Sequence, residues 1–271
     1  MIIKTPAGTL PYRQFTFPDG QRHLALLSLD AGGFQEATIE APIRNANDLF
    51  DILLAKNVLD HHNFATSLHI RYLLGARMDR RMNWSEPFTL DIVARILNGA
   101  GFRQIRILDP HSSQACVLVN AQPVLPVGIL TRVLAEYMPA DAVVIAPDKG
   151  ATARVRDMVK GSPWFTVVQC LKDRDPATGR IGGVVVQDPS RVAGKTCIIV
   201  DDICDGGATF VALARVLRDH GATAVHLYVT HGIFSKGLPL DGIDKVYTTN
   251  SYWTGPHPFT DAPLVMFDVT V

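Results

Sequence analysis

The sequence carries no excess of either charge. Lys+Arg and Asp+Glu are both 26, and the isoelectric point is about 7.1. Bulk charge therefore gives no reason to expect a nucleic-acid surface. No apolar run approaches the ~18–20 residues that a membrane-crossing helix needs, and no charged-then-apolar leader opens the chain. A cytoplasmic protein without membrane contact is expected. Cysteine is scarce: Cys116, Cys170, Cys197 and Cys204 are the only four, and none forms a Cys-x-x-Cys pair. They read as reduced core thiols, which fits a reducing compartment. Cys204 stands apart because it lies inside a glycine-rich turn. Short repeats, heptads and low-complexity tracts are absent too. What remains is a chain of 271 residues, 47% hydrophobic and 19% charged. That is enough to fill one large domain or two of ordinary size.

The stretch Thr196–Phe210 organises the rest. Cys197–Val200 is an unbroken apolar run, as a parallel strand buried on both faces requires. Asp201, Asp202 and Asp205 sit where the run ends, followed by Gly206, Gly207 and Thr209. Phe210–Arg218 then has helical spacing, with Val211, Leu213, Val216 and Leu217 apolar. Strand, acidic glycine-rich turn and helix together suit a ribose phosphate. Unpaired amides and the helix dipole favour a phosphate. Carboxylates accept hydrogen bonds from sugar hydroxyls, or hold a metal that bridges to phosphate. The plainer alternative is a capped strand-to-helix turn.

Read in order, residues 1–30 suggest short strands joined by turns, with a Pro18-Asp19-Gly20 turn signal. Asn47–Lys56 reads as a helix and Ser67–Gly75 as a strand leading into Ala76-Arg77-Met78-Asp79-Arg80-Arg81. That basic segment suits either a polyphosphate or a solvated surface. Thr89–Asn98 reads as a helix and Ile105–Leu108 as a strand, which runs into Asp109-Pro110-His111. A histidine there is a candidate metal ligand or proton carrier, or simply a hydrogen-bonded loop residue. Ile129–Tyr137 reads as a helix and Ala142–Ala146 as a second buried strand, followed by Pro147-Asp148-Lys149-Gly150. Phe165–Leu171 is a strand entering Lys172-Asp173-Arg174, and Pro176–Gly183 reads as a mobile loop or a charged hairpin. Ala222–Val229 and Lys245–Thr248 are further strands, the first leading into Thr230-His231-Gly232-Ile233-Phe234-Ser235. The alternation argues an α/β architecture with largely parallel sheets. It divides near residue 130 into 1–130 and 131–271, with the final residues expected to pack back on the first part.

These segments, in this order, resemble the ribose-phosphate pyrophosphokinase family, whose turn for 5-phosphoribosyl 1-diphosphate (PRPP) is shared with type I phosphoribosyltransferases. Phe17-Pro18-Asp19-Gly20, Ala76-Arg77-Met78-Asp79-Arg80, Asp109-Pro110-His111-Ser112, Pro147-Asp148-Lys149-Gly150, Lys172-Asp173-Arg174 and Thr230–Ser235 each resemble a family segment. With the acidic turn they span about residues 15–255. The resemblance implies two tandem phosphoribosyltransferase-like domains, the first on the ATP side and the second carrying the ribose-phosphate turn. It implies Mg²⁺-dependent transfer of the β,γ-diphosphate of ATP to the anomeric hydroxyl of ribose 5-phosphate. Asp201, Asp202 and Asp205 would face the ribose, and Gly206, Gly207, Ala208 and Thr209 its 5-phosphate. Lys172 and Arg174 would close over the transferring phosphates. Phe17, Asp19, Arg77, Asp79 and His111 would bind ATP, and His111 and Asp148 would hold Mg²⁺. Phe17 is often supplied by a neighbouring subunit in this family, so a homo-oligomer, dimer or larger, is implied.

Several departures bear on substrate. Gly206 stands where the family has threonine, Ala208 precedes Thr209, Met78 replaces a glutamine and Gln21 an acidic residue. A missing hydroxyl donor suggests a roomier phosphate cradle. It raises a larger acceptor such as ADP-ribose, with a place in NAD salvage, as the alternative to ribose 5-phosphate. A phosphoribosyltransferase and an inactive regulatory homologue are further alternatives. The tandem architecture and the presence of Lys172, Arg174 and His111 speak against both.

Overall fold

The computed structural model describes residues 1–29, 35–81, 83–174, 181–253, 259 and 262–269. The chain divides into two compact units, Met1–Val124 and Leu125–Val269.

The first unit begins with β1 (Ile2–Thr5) and β2 (Gly8–Thr9), then a separate hairpin of β3 (Tyr12–Thr16) and β4 (Arg22–Leu26). Next come β5 (Gln35–Pro42), α1 (Ala46–His61), β6 (Phe64–Tyr72), α2 (Thr89–Gly99), β7 (Ile105–Leu108), α3 (Ser113–Val119) and β8 (Gln122–Val124). Its sheet has the order β2-β1-β5-β6-β7-β8, parallel from β5 to β8. Those four strands follow chain order in one direction. Right-handed crossovers then put all three helices on the same face. The burial pattern agrees. Ile39, Leu68, Ile70, Ile105 and Ile107 join one apolar cluster with residues of α1, α2 and α3. The alternate positions carry Glu36, Thr38, Glu40, Ser67, His69 and Arg106, so β5 and β6 alternate apolar and polar. On that second face Lys4 Nζ lies 2.6 Å from Glu40.

The second unit comprises α4 (Val127–Tyr137), β9 (Val143–Ala146), α5 (Lys149–Val159), β10 (Thr166–Arg174), β11 (Ile181–Val186), β12 (Thr196–Cys204), α6 (Ala208–Asp219), β13 (Ala224–Gly232), β14 (Lys245–Thr249) and β15 (Leu264–Phe267). The sheet order is β11-β10-β9-β12-β13-β14-β15, parallel except for the edge strand β11. The order reverses at β9, which has its successor β10 on one side and β12 on the other. Reversal sends helices to opposite faces. One apolar cluster holds Val143, Ile145, Cys197 and Ile199 with α6, and the other holds Val144, Ala146, Ile198 and Val200 with α4 and α5. Strands covered on both faces must be apolar throughout, so β9 and the first half of β12 are continuous hydrophobic runs. Burial also silences two thiols, pushing Cys170 up to about 12 and Cys197 to about 11. No described helix is long and apolar enough to cross a membrane.

One strand here was not expected, and one expected loop is in part a strand. The strand Gln35–Pro42 carries no sequence expectation, because its polar face hides it among short, mixed segments. Of the loop expected over 176–183, residues 176–180 lie outside the described ones. Residues 181–183 belong to β11, which pairs antiparallel with β10.

Candidate active site

The reversal at β9 is where an open α/β sheet forms its binding crevice, outside the carboxyl ends of the strands that diverge there. Here the divergence is sharpened by unequal strand lengths. β12 pairs with β9 only from Cys197 to Ile199, but continues along β13 to Cys204↔Gly232. Past Ile199, β12 has no ladder partner on its β9 side among the described residues. Asp201 and Asp202 therefore lie inside an overhanging strand and not after its end, as the apolar run alone suggested. Only Asp205 lies on the turn itself.

Arg154, on the second turn of α5, meets both strand carboxylates. One of its amino groups donates to Asp201 Oδ1 at 2.6 Å, and the other lies 3.5 Å from Asp202. The three side chains are only 7–16% exposed. Burial and the neighbouring Asp202 charge push the Asp201 carboxyl up to about 8, against the pull of the guanidinium. Two adjacent carboxylates sharing one cation cannot both stay charged cheaply. The cluster is thus poised to accept hydrogen bonds from hydroxyls, or a second cation, in exchange for a proton. Arg154 was not singled out in the sequence. Its only signal was a cation six residues after Asp148, on the helix beginning where β9 ends.

Asp148 is the N-cap of α5. Its Oδ1 accepts from the Ala151 amide at 2.9 Å. The capping geometry fixes a carboxylate at the carboxyl end of β9.

The turn after β12 is shaped by glycine. Gly207 has φ +75, and a Cβ there would come within 2.5 Å of Leu240 Cδ2. Only glycine fits both the left-handed backbone and that contact. Gly207 is the N-cap of α6 and no side chain caps the helix. Its carbonyl accepts from the Phe210 and Val211 amides, which leaves Ala208 and Thr209 at the first two helical positions. The turn is held from below by the segment that follows β13. Cys204, buried at the end of β12, offers its carbonyl to the amides of Ile233 (2.8 Å) and Phe234 (3.1 Å). Gly232 is equally constrained, since a Cβ there would fall 2.3 Å from the Phe234 ring. Thr230–Ser235 therefore serves this site as a supporting shelf. Ser251 Oγ lies 2.8 Å from His231 Nδ1 and donates to the Thr230 carbonyl.

A phosphoribosyl transferase domain model matches residues 129–259. The ribose-phosphate pyrophosphokinase of Mycoplasma pneumoniae is 30% identical over 249 residues, covering 88% of this chain and 72% of that protein. The chain belongs to the ribose-phosphate pyrophosphokinase family. Its members are ATP-dependent pyrophosphokinases. The relative from Cereibacter sphaeroides is 34% identical over 175 residues, covering 61% of this chain and 50% of that one. Ribose-phosphate pyrophosphokinase 1 of Listeria monocytogenes is 29% identical over 216 residues, covering 75% and 65%. The chain thus spans about half to three quarters of these relatives. The crystal structure of phosphoribosylpyrophosphate synthetase from Mycobacterium smegmatis superposes with a TM-score of 0.77 at 23% identity, covering 96% of this chain and 86% of that one. The fold is accordingly two tandem phosphoribosyltransferase-like domains with mainly parallel sheets flanked by helices.

The family segments of the first unit occupy loops. Phe17 is 42% exposed just beyond β3, and its ring packs edge-on to Phe15 (5.0 Å) and near His23 (5.8 Å). Asp19 accepts from the Gln21 amide and so shapes the hairpin turn. Arg77 is exposed and Asp79 half-buried, in the loop leaving the carboxyl end of β6. His111 is exposed between β7 and α3. Lys172 and Arg174 lie on the backbone of β10, opposite Val184 and Ile181 of β11, while their side chains fall outside what is described. Among the described residues, no three or more His, Cys, Asp or Glu side chains form a group that could hold a metal ion. Magnesium tolerates this, because it keeps several waters and so needs few protein ligands. A single fixed carboxylate such as Asp148 fits that donor chemistry.

Proposed function

We propose that the protein transfers the β,γ-diphosphate of ATP to the anomeric hydroxyl of ribose 5-phosphate, giving PRPP and AMP. The observation that carries this reading is the overhang of β12 at the sheet reversal. There, within one unit, paired aspartates, a capping aspartate and an uncapped helix start occupy the edge where such sheets bind ligands. Family membership supplies the reaction class.

Residues Gly206–Thr209 hold the 5-phosphate through backbone amides at the start of α6. Asp201, Asp202 and Asp205 orient the ribose, with Arg154 restraining the first two. The anomeric oxygen bonds to the β-phosphorus as the bond between that phosphorus and the oxygen it shares with the α-phosphorus breaks. AMP departs with that oxygen, and the hydroxyl proton is lost to solvent. Lys172 and Arg174 offset charge on the transferring group, where electrostatic positioning does most of the work. Phe17, Asp19, Arg77, Asp79 and His111 take the nucleotide. His111 and Asp148 would hold Mg²⁺, which when bound neutralises and orients the phosphates. We assign the first unit, Met1–Val124, to the ATP side and the second, Leu125–Val269, to the acceptor side, with a homo-oligomer as the working form.

The larger acceptor, ADP-ribose, is the less favoured reading. Its motive was open space beside Gly206, and the Lys236 stem lies there, with Cδ and Cε 3.4 Å from where a Cβ on Gly206 would sit. The test is AMP release from ATP and Mg²⁺ with each acceptor in turn. Rapid release with ribose 5-phosphate is expected. Silence with it alongside rapid release with ADP-ribose would transfer the assignment to the larger acceptor.

A further inference from the structure

We propose that Lys236 is a binding residue for the acceptor's 5-phosphate and selects a doubly charged monoester over a singly charged diester. The inference rests on the reading that residues 206–209 hold that phosphate. The segment bearing Lys236 is fastened to the turn at two points and closed on itself between them. The Ile233 and Phe234 amides both donate to the Cys204 carbonyl, at 2.8 and 3.1 Å. The Gly237 amide donates to the Phe234 carbonyl at 2.8 Å, closing a tight turn around Lys236. Leu240 packs against Gly207, within 2.5 Å of the place a Cβ would take. Between these points the Lys236 stem lies over Gly206, in van der Waals contact with its Cβ position. The ammonium is one bond further on. Lys236 is exposed and forms no ion pair with any described residue.

Charge balance explains why a cation belongs there. The strand end and turn carry three aspartates, Asp201, Asp202 and Asp205; Arg154 meets the first two, and Asp201, raised to about 8, keeps its proton at neutral pH. A phosphate dianion arriving at Gly206 would add two more negative charges beside Asp205. Backbone amides supply partial charges only. An ammonium beside Gly206 offsets the dianion directly, and a diester, with half the charge, gains correspondingly less. Gly206 and Lys236 thus form one device: the lysine stem lies within van der Waals reach of the turn at 206.

The test compares wild type with Lys236→Met, Lys236→Gln and Lys236→Arg, with thermal unfolding as the check on folding. The acceptors are ribose 5-phosphate and its 5-(methyl phosphate) diester. Neutral variants should raise KM for ribose 5-phosphate about tenfold, raise it clearly less for the diester, and leave KM for ATP in place. Calorimetric affinity for ribose 5-phosphate should fall in parallel, and Lys236→Arg should keep most of it. An unchanged KM, or equal losses for both acceptors, would overturn the role of Lys236 while leaving the pyrophosphokinase reading intact. Wild-type protein that neither binds ribose 5-phosphate nor releases AMP with it would overturn both.

Discussion

The two sheets are built from the same kind of unit, a parallel strand followed by a helix, yet they differ in one topological respect. In the first, β5 to β8 are laid down in chain order, so the helices share a face and the other face stays polar. In the second, the order reverses at β9, the helices divide between two faces, and a strand overhangs its neighbour. Reversal opens a crevice because two connections leave the same pair of strand ends in opposite directions. A one-way sheet has no such divergence. The residues proposed there for the nucleotide, Phe17, Arg77 and His111, sit instead on separate loops. On the proposed reading the contrast is a division of labour, with charge handling concentrated in the second unit and nucleotide recognition contributed by exposed loops of the first.

The largest expected effect would break this division if it failed. Lys172→Ala, on β10 across β9 from the overhang, should lower kcat by about 10²–10³-fold with thermal unfolding unchanged, as expected for a group acting on the transferring phosphates. Steady-state AMP release measures it, and an unchanged kcat would remove Lys172 from the mechanism. Next comes the clamp. Arg154→Met strands two largely buried carboxylates, and denaturant unfolding at pH 8 should lose about 3 kcal/mol. The loss should shrink as pH falls, because the stranded carboxylates then take up protons. In the unsubstituted protein, Asp201 titrates near 8 in the folded state and near 3.8 unfolded. Folded protein therefore binds the extra proton between those values, and stability falls as pH rises across them. Asp201→Asn should flatten that slope.

A third comparison separates neighbouring glycines within the turn. Gly207→Ala should cost about 1–3 kcal/mol of stability by thermal or denaturant unfolding, because its φ of +75 is strained for any side chain. Gly206→Ala, without positive φ and with only a 3.4 Å contact to the flexible Lys236 stem, should stay within about 0.5 kcal/mol. Equal losses would show that the two positions are not distinguished by backbone geometry. The smallest effect sharpens the other half of the division. Phe17→Ala should raise KM for ATP several-fold, in line with about 1 kcal/mol for one aromatic stacking partner, and leave KM for ribose 5-phosphate alone. A kcat defect in its place would show that the first unit does more than recognise nucleotide.

Legibility followed the same divide. β9 and the first half of β12 are covered on both faces, so their sequences are uninterrupted apolar runs and their positions could be read directly. β5 is apolar on one face only, and its glutamates and threonine on the other left no run to find. The helices α1, α2, α4 and α6 were recognisable from apolar spacing, with ends off by a few residues. Asp201 and Asp202 seemed to end a strand because the apolar run stops at Val200. Backbone pairing with β13 carries the strand on regardless, since a ladder needs amides and carbonyls, not apolar side chains.

Local residue order alone therefore determined the alternation of strands and helices, the acidic glycine-rich turn, and the family to which both point. These depend on neighbours in the chain, whose periodicity and backbone preferences are written in adjacent residues. Arg154 meeting Asp201 across 47 positions, Lys236 settling over Gly206, and the end of the β12 pairing with β9 at Ile199 were decided only by tertiary structure. Each arises from which strands become neighbours and where one stops short of another, and no local pattern encodes that.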